Sequence, residues 1–204
     1  MKTDSLPAGS PSRLERKKER TRLEIMAAAT RVLAEKGLHA TKIADIAAAA
    51  DVGVGTFYLH FDTKEALFGA LVDDTVTHLK ATVDAARLSV SDPVERVVIS
   101  NRALCRFAVE NREVFKIVFG HGDAHHETIR RAQAQFAADI EENLRDGVAA
   151  GVFADLPRVI AAQALVGMST QLLAWWSEHD DSPIELLEDT IMKLTLHGLS
   201  PAKE

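Results

Sequence analysis

The chain carries a single cysteine, Cys105, so no internal disulfide can form and no cysteine knuckle for zinc is present. It lacks a run of about 18 apolar residues, the length a membrane-spanning helix needs. Its opening segment, MKTDSLPAGSPS, has no apolar stretch and reads as a short disordered tail over 1–12, not as a secretory leader. Strand signals are scarce as well: β-branched runs are few, and no Asn-Gly or Asp-Gly pair joins two alternating segments. These absences leave a cytoplasmic, non-membrane protein as the expectation.

What is present is helical. The 204 residues are 47% hydrophobic and 26% charged, enough for one sizeable core or for a small domain riding on a larger one. The net charge of −6 argues at first against a nucleic-acid binder, but its distribution matters more than its total. Residues 1–64 hold 11 Lys/Arg against 8 Asp/Glu, and the remainder holds 13 against 22. Positive charge is densest in Arg13, Arg16, Lys17, Lys18, Arg20 and Arg22, opposed there only by Glu15 and Glu19. A basic head on an acidic body suits a protein that meets phosphate at one end. The 13–22 stretch itself reads either as a solvated helix or as an arm that grips phosphate or enters a minor groove.

Ile25, Ala29, Val32 and Leu33 line one face of a helix over 13–36, which Gly37 ends, with Leu38 folding back. Thr41 is placed to cap a second helix bearing Ile43, Ile46, Ala47 and Ala50, ending near Asp51. A short third helix covers 54–60, and Thr63 or Asp62 caps a long fourth helix from Lys64. Asp92-Pro93-Val94-Glu95 and Ser182-Pro183-Ile184-Glu185 both read as capping boxes with Pro at the first helical position. Breaks at Gly120-His121-Gly122, Gly147 to Gly151 and His179 to Asp181 divide the rest into helices near 92–110, 112–119, 124–148, 156–178 and 183–197. The fold class is all-α, with about nine helices: a three-helix unit over 13–62 and a helical body over 63–204.

The informative segment is Thr41 to Lys64, TKIADIAAAADVGVGTFYLHFDTK. Two short helices separated by three or four residues, the second too short and polar for a core helix, form a helix-turn-helix. Ala47 to Ala50 are small enough for close crossing, Gly53 frees the turn, and Asp51 must accept the helix end without being glycine. Phe57 and Phe61 lock the second helix down, leaving Gly55, Thr56, Tyr58 and Leu59 or His60 outward. Hydroxyls and an imidazole N–H bond phosphate oxygens, the Thr methyl meets thymine, and Gly55 admits the backbone to the duplex. Lys64 adds a cation at a helix start.

The string Ile-Ala-x-x-Ala-x-Val-x-x-Gly-Thr-x-Tyr-x-His-Phe-x-x-Lys-Glu-x-Leu, met by residues from Ile46 to Leu67, resembles the DNA-binding signature of the tetracycline-repressor (TetR) family over roughly residues 20–80. Many members have Gly where Asp51 stands and Ser where Gly53 stands. The resemblance implies a homodimer on a palindromic double-stranded operator, with one recognition helix per half-site. It marks Thr41, Lys42, Val54, Gly55, Thr56, Tyr58, His60 and Lys64 as DNA contacts. It also implies a small-molecule effector held by the C-terminal domain, with repression relieved on binding.

The body carries no signature of its own. Phe107, Phe115, Phe119, Phe136 and Trp175 or Trp176 fall at inward spacings, either as plain core or as the wall of an apolar pocket. In the pocket reading Arg102, Arg106, Gln133 or Gln171 orients a lipophilic ligand, for which an acyl chain or an aromatic compound is suitable. His121, His125 and His126 read as loop histidines rather than a metal site, and Cys105 as a small buried hydrophobe. No cofactor is expected. Ala161, Ala162, Ala164, Gly167 and Ser169, with the apolar stripe Ile184, Leu187, Ile191 and Leu194, read as a homodimer surface of the last two helices. No nucleophile–base pair, carboxylate–histidine metal motif or phosphate loop is present, so no enzyme is expected. The rival readings are a corepressor-dependent regulator and a helical dimerisation protein that no longer binds DNA.

Overall fold

The computed structural model describes residues 12–120, 126–179 and 181–200, with the side chains of 118–129 left aside. Among the described residues there are nine helices and no strand. The tail through residue 11, His121 and His125, and the side chains of Phe119 and His126 lie outside what is described.

Helix α1 (Arg13–Ala40) starts at a reciprocal cap: Ser12 Oγ accepts from the Glu15 amide, and the Glu15 carboxylate accepts from the Ser12 amide. Its regular turns stop at Gly37, whose φ of +73° is open to glycine at little steric cost. Leu38 then folds back into the core. Helix α2 (Ile43–Ala49) is capped differently from expectation. Its N-cap is Lys42, whose amide donates to Asp45 Oδ2. Thr41 is buried, and its hydroxyl donates back to the Gly37 carbonyl at 2.7 Å. The end of α2 turns at Asp51, a non-glycine at φ +54°, a conformation that aspartate tolerates better than most residues. Gly53, by contrast, has φ −71° as the N-cap of α3 (Val54–Tyr58), so its backbone freedom is not what makes the turn.

Helix α4 (Lys64–Arg87) is capped by Thr63. Ile25, Leu33, Ile46, Phe57 and Phe61 pack with Leu67, Phe68, Leu71 and Val72 of α4, so the head's core includes the first turns of that helix. Ile117 joins it from α6 (Arg112–Gly120), which packs against both α1 and α8 (Arg158–Glu178).

The body is completed by α5 (Pro93–Glu110), α7 (His126–Ala149) and α9 (Ile184–Leu199). Asp92 caps α5 with Pro93 in its first turn, which is one half of the expected box: its carboxylate accepts from the Glu95 amide at 2.7 Å. The second expected cap does not form: α9 has no side-chain cap, and the Ser182 carbonyl instead accepts the Trp176 indole N–H at 2.9 Å. Trp176 is thus the inward tryptophan, with the Arg112 guanidinium 4.3 Å from its ring centroid. Gly147 lies inside α7, and the break comes at Gly151, φ +72°.

Helix α8 is long and apolar enough by composition to cross a membrane, contrary to the expectation of no such run. Here it packs against α6, α7 and α9. Its outer stripe, Ile160, Ala164, Gly167, Gln171 and Trp175, is exposed. On α9 the expected stripe divides. Leu187 and Ile191 are buried in the body's own core with Ile184 packed against it, while Leu186 and Leu194 point outward.

Candidate nucleic-acid interface and effector cavity

The recognition segment is held from beneath. Phe57 is fully buried, Phe61 nearly so, and their rings lie 5.9 Å apart. Because one face of α3 is anchored, Val54, Gly55, Tyr58 and Leu59 are turned outward, with Tyr58 52% and Leu59 73% exposed and Thr56 half-buried. Nothing lies within 4 Å of where a Cβ at Gly55 would stand. Lys42, the N-cap of α2, is also exposed.

Three of the expected DNA contacts are placed otherwise. Thr41 is buried with its hydroxyl engaged, so its side chain has no surface to offer a duplex. The Lys64 ammonium is turned inward. It donates to the Thr41 carbonyl at 2.9 Å and to the Leu38 carbonyl, and so satisfies acceptors left at the α1–α2 junction. His60 is half-buried, and its Nδ1 is buried without a hydrogen-bond partner. Burial, with Lys18 and Arg22 nearby, holds its imidazole below the ordinary histidine pKa, Glu19 opposing.

A cavity of about 210 Å³ runs through the body. Its wall on α4 extends from Val72 through Val76, Leu79 and Val83 to Arg87, about 22 Å at the helical rise per residue. Phe115, Gln133 and Phe136, expected pocket residues, line it; Arg102, Arg106, Phe107, Gln171 and Trp175 do not. Arg102 is exposed and pairs with Glu188 at 3.4 Å. Arg106 is exposed, and Phe107 is packed in the core between helices. Gln171 lies on the outer face of α8, and Trp175, also outward, stacks on His179 at 4.3 Å.

Apart from Gln133, the polar lining was not foreseen. At one end Arg87 and Asp139 reach the cavity, with Asp139 paired to Lys80 and 3.8 Å from Arg87. Arg96 is bound to Asp146 at 3.1 Å. Asn143 donates through Nδ2 to the Pro93 carbonyl, which leaves Oδ1 buried and without a partner. The α4 wall was readable as a 72, 76, 79, 83 apolar stripe; the charged groups come together only through packing of α4 and α5 on α7 and so have no signal in the chain. Cys105 is buried, and burial together with Glu188 pushes its thiol up to about 12. Among the described residues no group of metal-ligating side chains is assembled.

Residues 25–71 match the model of bacterial regulatory proteins of the tetR family, and residues 90–199 match the tetracyclin repressor-like C-terminal domain. The uncharacterized HTH-type transcriptional regulator YdgC of Bacillus subtilis is 24% identical over 186 residues, covering 89% of this chain and 93% of that one. The fold is similar to that of the fatty acid degradation regulator FadR from Bacillus halodurans, with a TM-score of 0.81 at 23% identity, covering 88% and 96% of the two chains. It is also similar to FadR from Bacillus subtilis in complex with stearoyl-CoA, with a TM-score of 0.78 at 18% identity, covering 87% and 98%. With its head and its body each matched by a domain of one family, the chain belongs to the TetR family of helix-turn-helix transcriptional regulators.

Proposed function

We propose that the chain is a homodimeric repressor that leaves a palindromic operator when a ligand with a long aliphatic chain enters the body. The observation that carries this reading is the sharing of α4 and α6 between head and cavity. Val72 belongs both to the head's core and to the cavity wall. On α6, Val114 and Phe115 line the cavity while Ile117 packs into the head's core. A ligand that spreads the cavity displaces the helices that hold the head. It thereby alters the separation of two recognition helices that must match one turn of B-DNA, about 34–36 Å. The coupling requires that the ligand bind the released state more tightly than the operator-bound one.

The shape of the cavity, long and lined mainly by apolar side chains, favours an acyl chain over a compact ring. The likeness to a FadR that holds stearoyl-CoA supports the same class. The division of labour follows residues 13–62 for DNA and 63–204 for ligand and dimer. Lys42, Val54, Gly55, Thr56 and Tyr58 are the proposed operator contacts, with His60 at the phosphate backbone. The exposed stripe of α8 with Leu186 and Leu194 of α9 gives the dimer an apolar face to bury. The protein would act in the cytoplasm, on the nucleoid while bound to its operator.

The test is selection of duplexes from a random pool, followed by fluorescence anisotropy. An enriched palindrome that binds wild type, and that Tyr58→Ala and Thr56→Ala lose with their dimers intact, supports the repressor. A dimer that enriches nothing overturns it.

A further inference from the structure

The first turns of α1 stand off the core: residues 12–20 are all exposed. They also lie ahead of the family's DNA-binding match, which begins at Ile25. On the side of this overhang that meets the head, Lys18 and Arg22 stand one helical turn apart beside the end of the recognition helix. The Arg22 guanidinium lies 5.6 Å from the Phe61 ring centroid. Both cations are close enough to act on the charge of His60, and the opposing group from α1 is Glu19, 3.4 Å from Arg22 Nη1. The neighbouring imidazole Nδ1 is buried and has no partner.

Two cations beside an imidazole, held together against one carboxylate, make a site short of an anion. Like charges repel at this range. A phosphate at the surface between them relieves that repulsion and favours the protonated ring. Tyr58 faces outward from the same short helix, and a DNA backbone that meets it also meets this edge of the head. We infer that Lys18, Arg22 and His60 form a cradle for one backbone phosphate at the edge of each half-site, supplied partly by a segment outside the shared DNA-binding module.

This rests on the DNA-binding reading. It separates the two faces of the overhang, because Arg13, Arg16, Lys17 and Arg20 recur at i, i+3, i+4 and i+7 on the other side. Lys18→Gln and Lys17→Gln remove the same charge from adjacent exposed positions, so neither threatens folding. With the pool-enriched duplex, anisotropy across a salt series should show Lys18→Gln binding several-fold more weakly at low salt. Its log–log salt slope should be less steep by about 0.9 per engaged subunit, and Lys17→Gln should change the slope by less than half as much. Wild-type binding should also tighten as pH falls from about 7.5 to 5.5, because the phosphate favours the imidazolium, and His60→Gln should flatten that dependence. Equal slopes for the two lysine variants, or an unchanged slope in Lys18→Gln while wild type binds normally, would overturn the cradle alone. Failure of wild type to enrich any duplex would overturn the cradle and the operator reading together.

Discussion

The Lys64 ammonium, at the first residue of α4, donates to the Thr41 carbonyl at 2.9 Å and ties the body's longest contribution to the head across the α1–α2 junction. A charged hydrogen bond of this kind is worth about 1.5–3 kcal/mol when partly buried. Lys64→Met should therefore lower the chemical denaturation free energy by an amount in that range. It should weaken DNA binding without changing its salt slope. Unchanged stability with a flatter slope would instead return Lys64 to the phosphate-contact role that its position in the motif implies.

Gly53 offers a contrasting substitution. Its φ is −71°, and a Cβ there would come no nearer than 4.0 Å to Thr56 Oγ1. Gly53→Ser should be accommodated and should add a side-chain cap to α3, raising stability by a few tenths of a kcal/mol. A thermal melt checks it; a clear loss of stability would mean the turn needs glycine after all.

The Phe153 ring covers Gly147 so closely that an added Cβ would fall 1.9 Å from ring carbon Cδ2. The obstacle is a ring in the buried cluster of Leu144, Ala162 and Val166. Gly147→Ala should thus destabilise by about 1–3 kcal/mol through overpacking, where an open helical glycine would gain from the change. Gly167, with nothing within 4 Å of its Cβ position, supplies that comparison for the free subunit.

His60 makes stability depend on pH with a definite sign. Its folded-state pKa lies below the ordinary 6.5, chiefly from burial and then from Lys18 and Arg22, so the unfolded chain takes up protons first. Stability is fullest above that unfolded value and declines as pH falls through it toward the folded one. Across this window the stability of wild type relative to His60→Gln should fall as the pH falls, as denaturation curves at each pH would show. A His60→Gln profile parallel to wild type would show that the imidazole contributes nothing to it.

The residues themselves carried much of this. The apolar periodicity of α1, Gly37 as its stop, Asp51 at positive φ, Thr63 and Asp92 as caps, and the two phenylalanines beneath the recognition helix are local features with local causes. Reading failed where a choice depends on a distant partner. Whether Thr41 caps α2 or turns its hydroxyl back to Gly37 is decided by burial, and the inward course of Lys64 by carbonyls 23 and 26 residues away. Helices α8 and α9 are apolar on more than one side, so periodicity alone did not separate the face that packs on the body from the one left outside. Phe107 and Phe115 look alike along the chain; only the packing of α6 puts one on the cavity wall and leaves the other in the solid core.

The measurement closest to the central claim is a titration of the protein–duplex complex with stearoyl-CoA, followed by anisotropy of the labelled DNA. The expected result is a saturable release of the duplex that Phe136→Ala, altered on the cavity wall, shifts to a different concentration while still binding DNA. A complex that is indifferent to the ligand, or that tightens as it is added, would contradict an account in which filling the cavity drives the head from its operator.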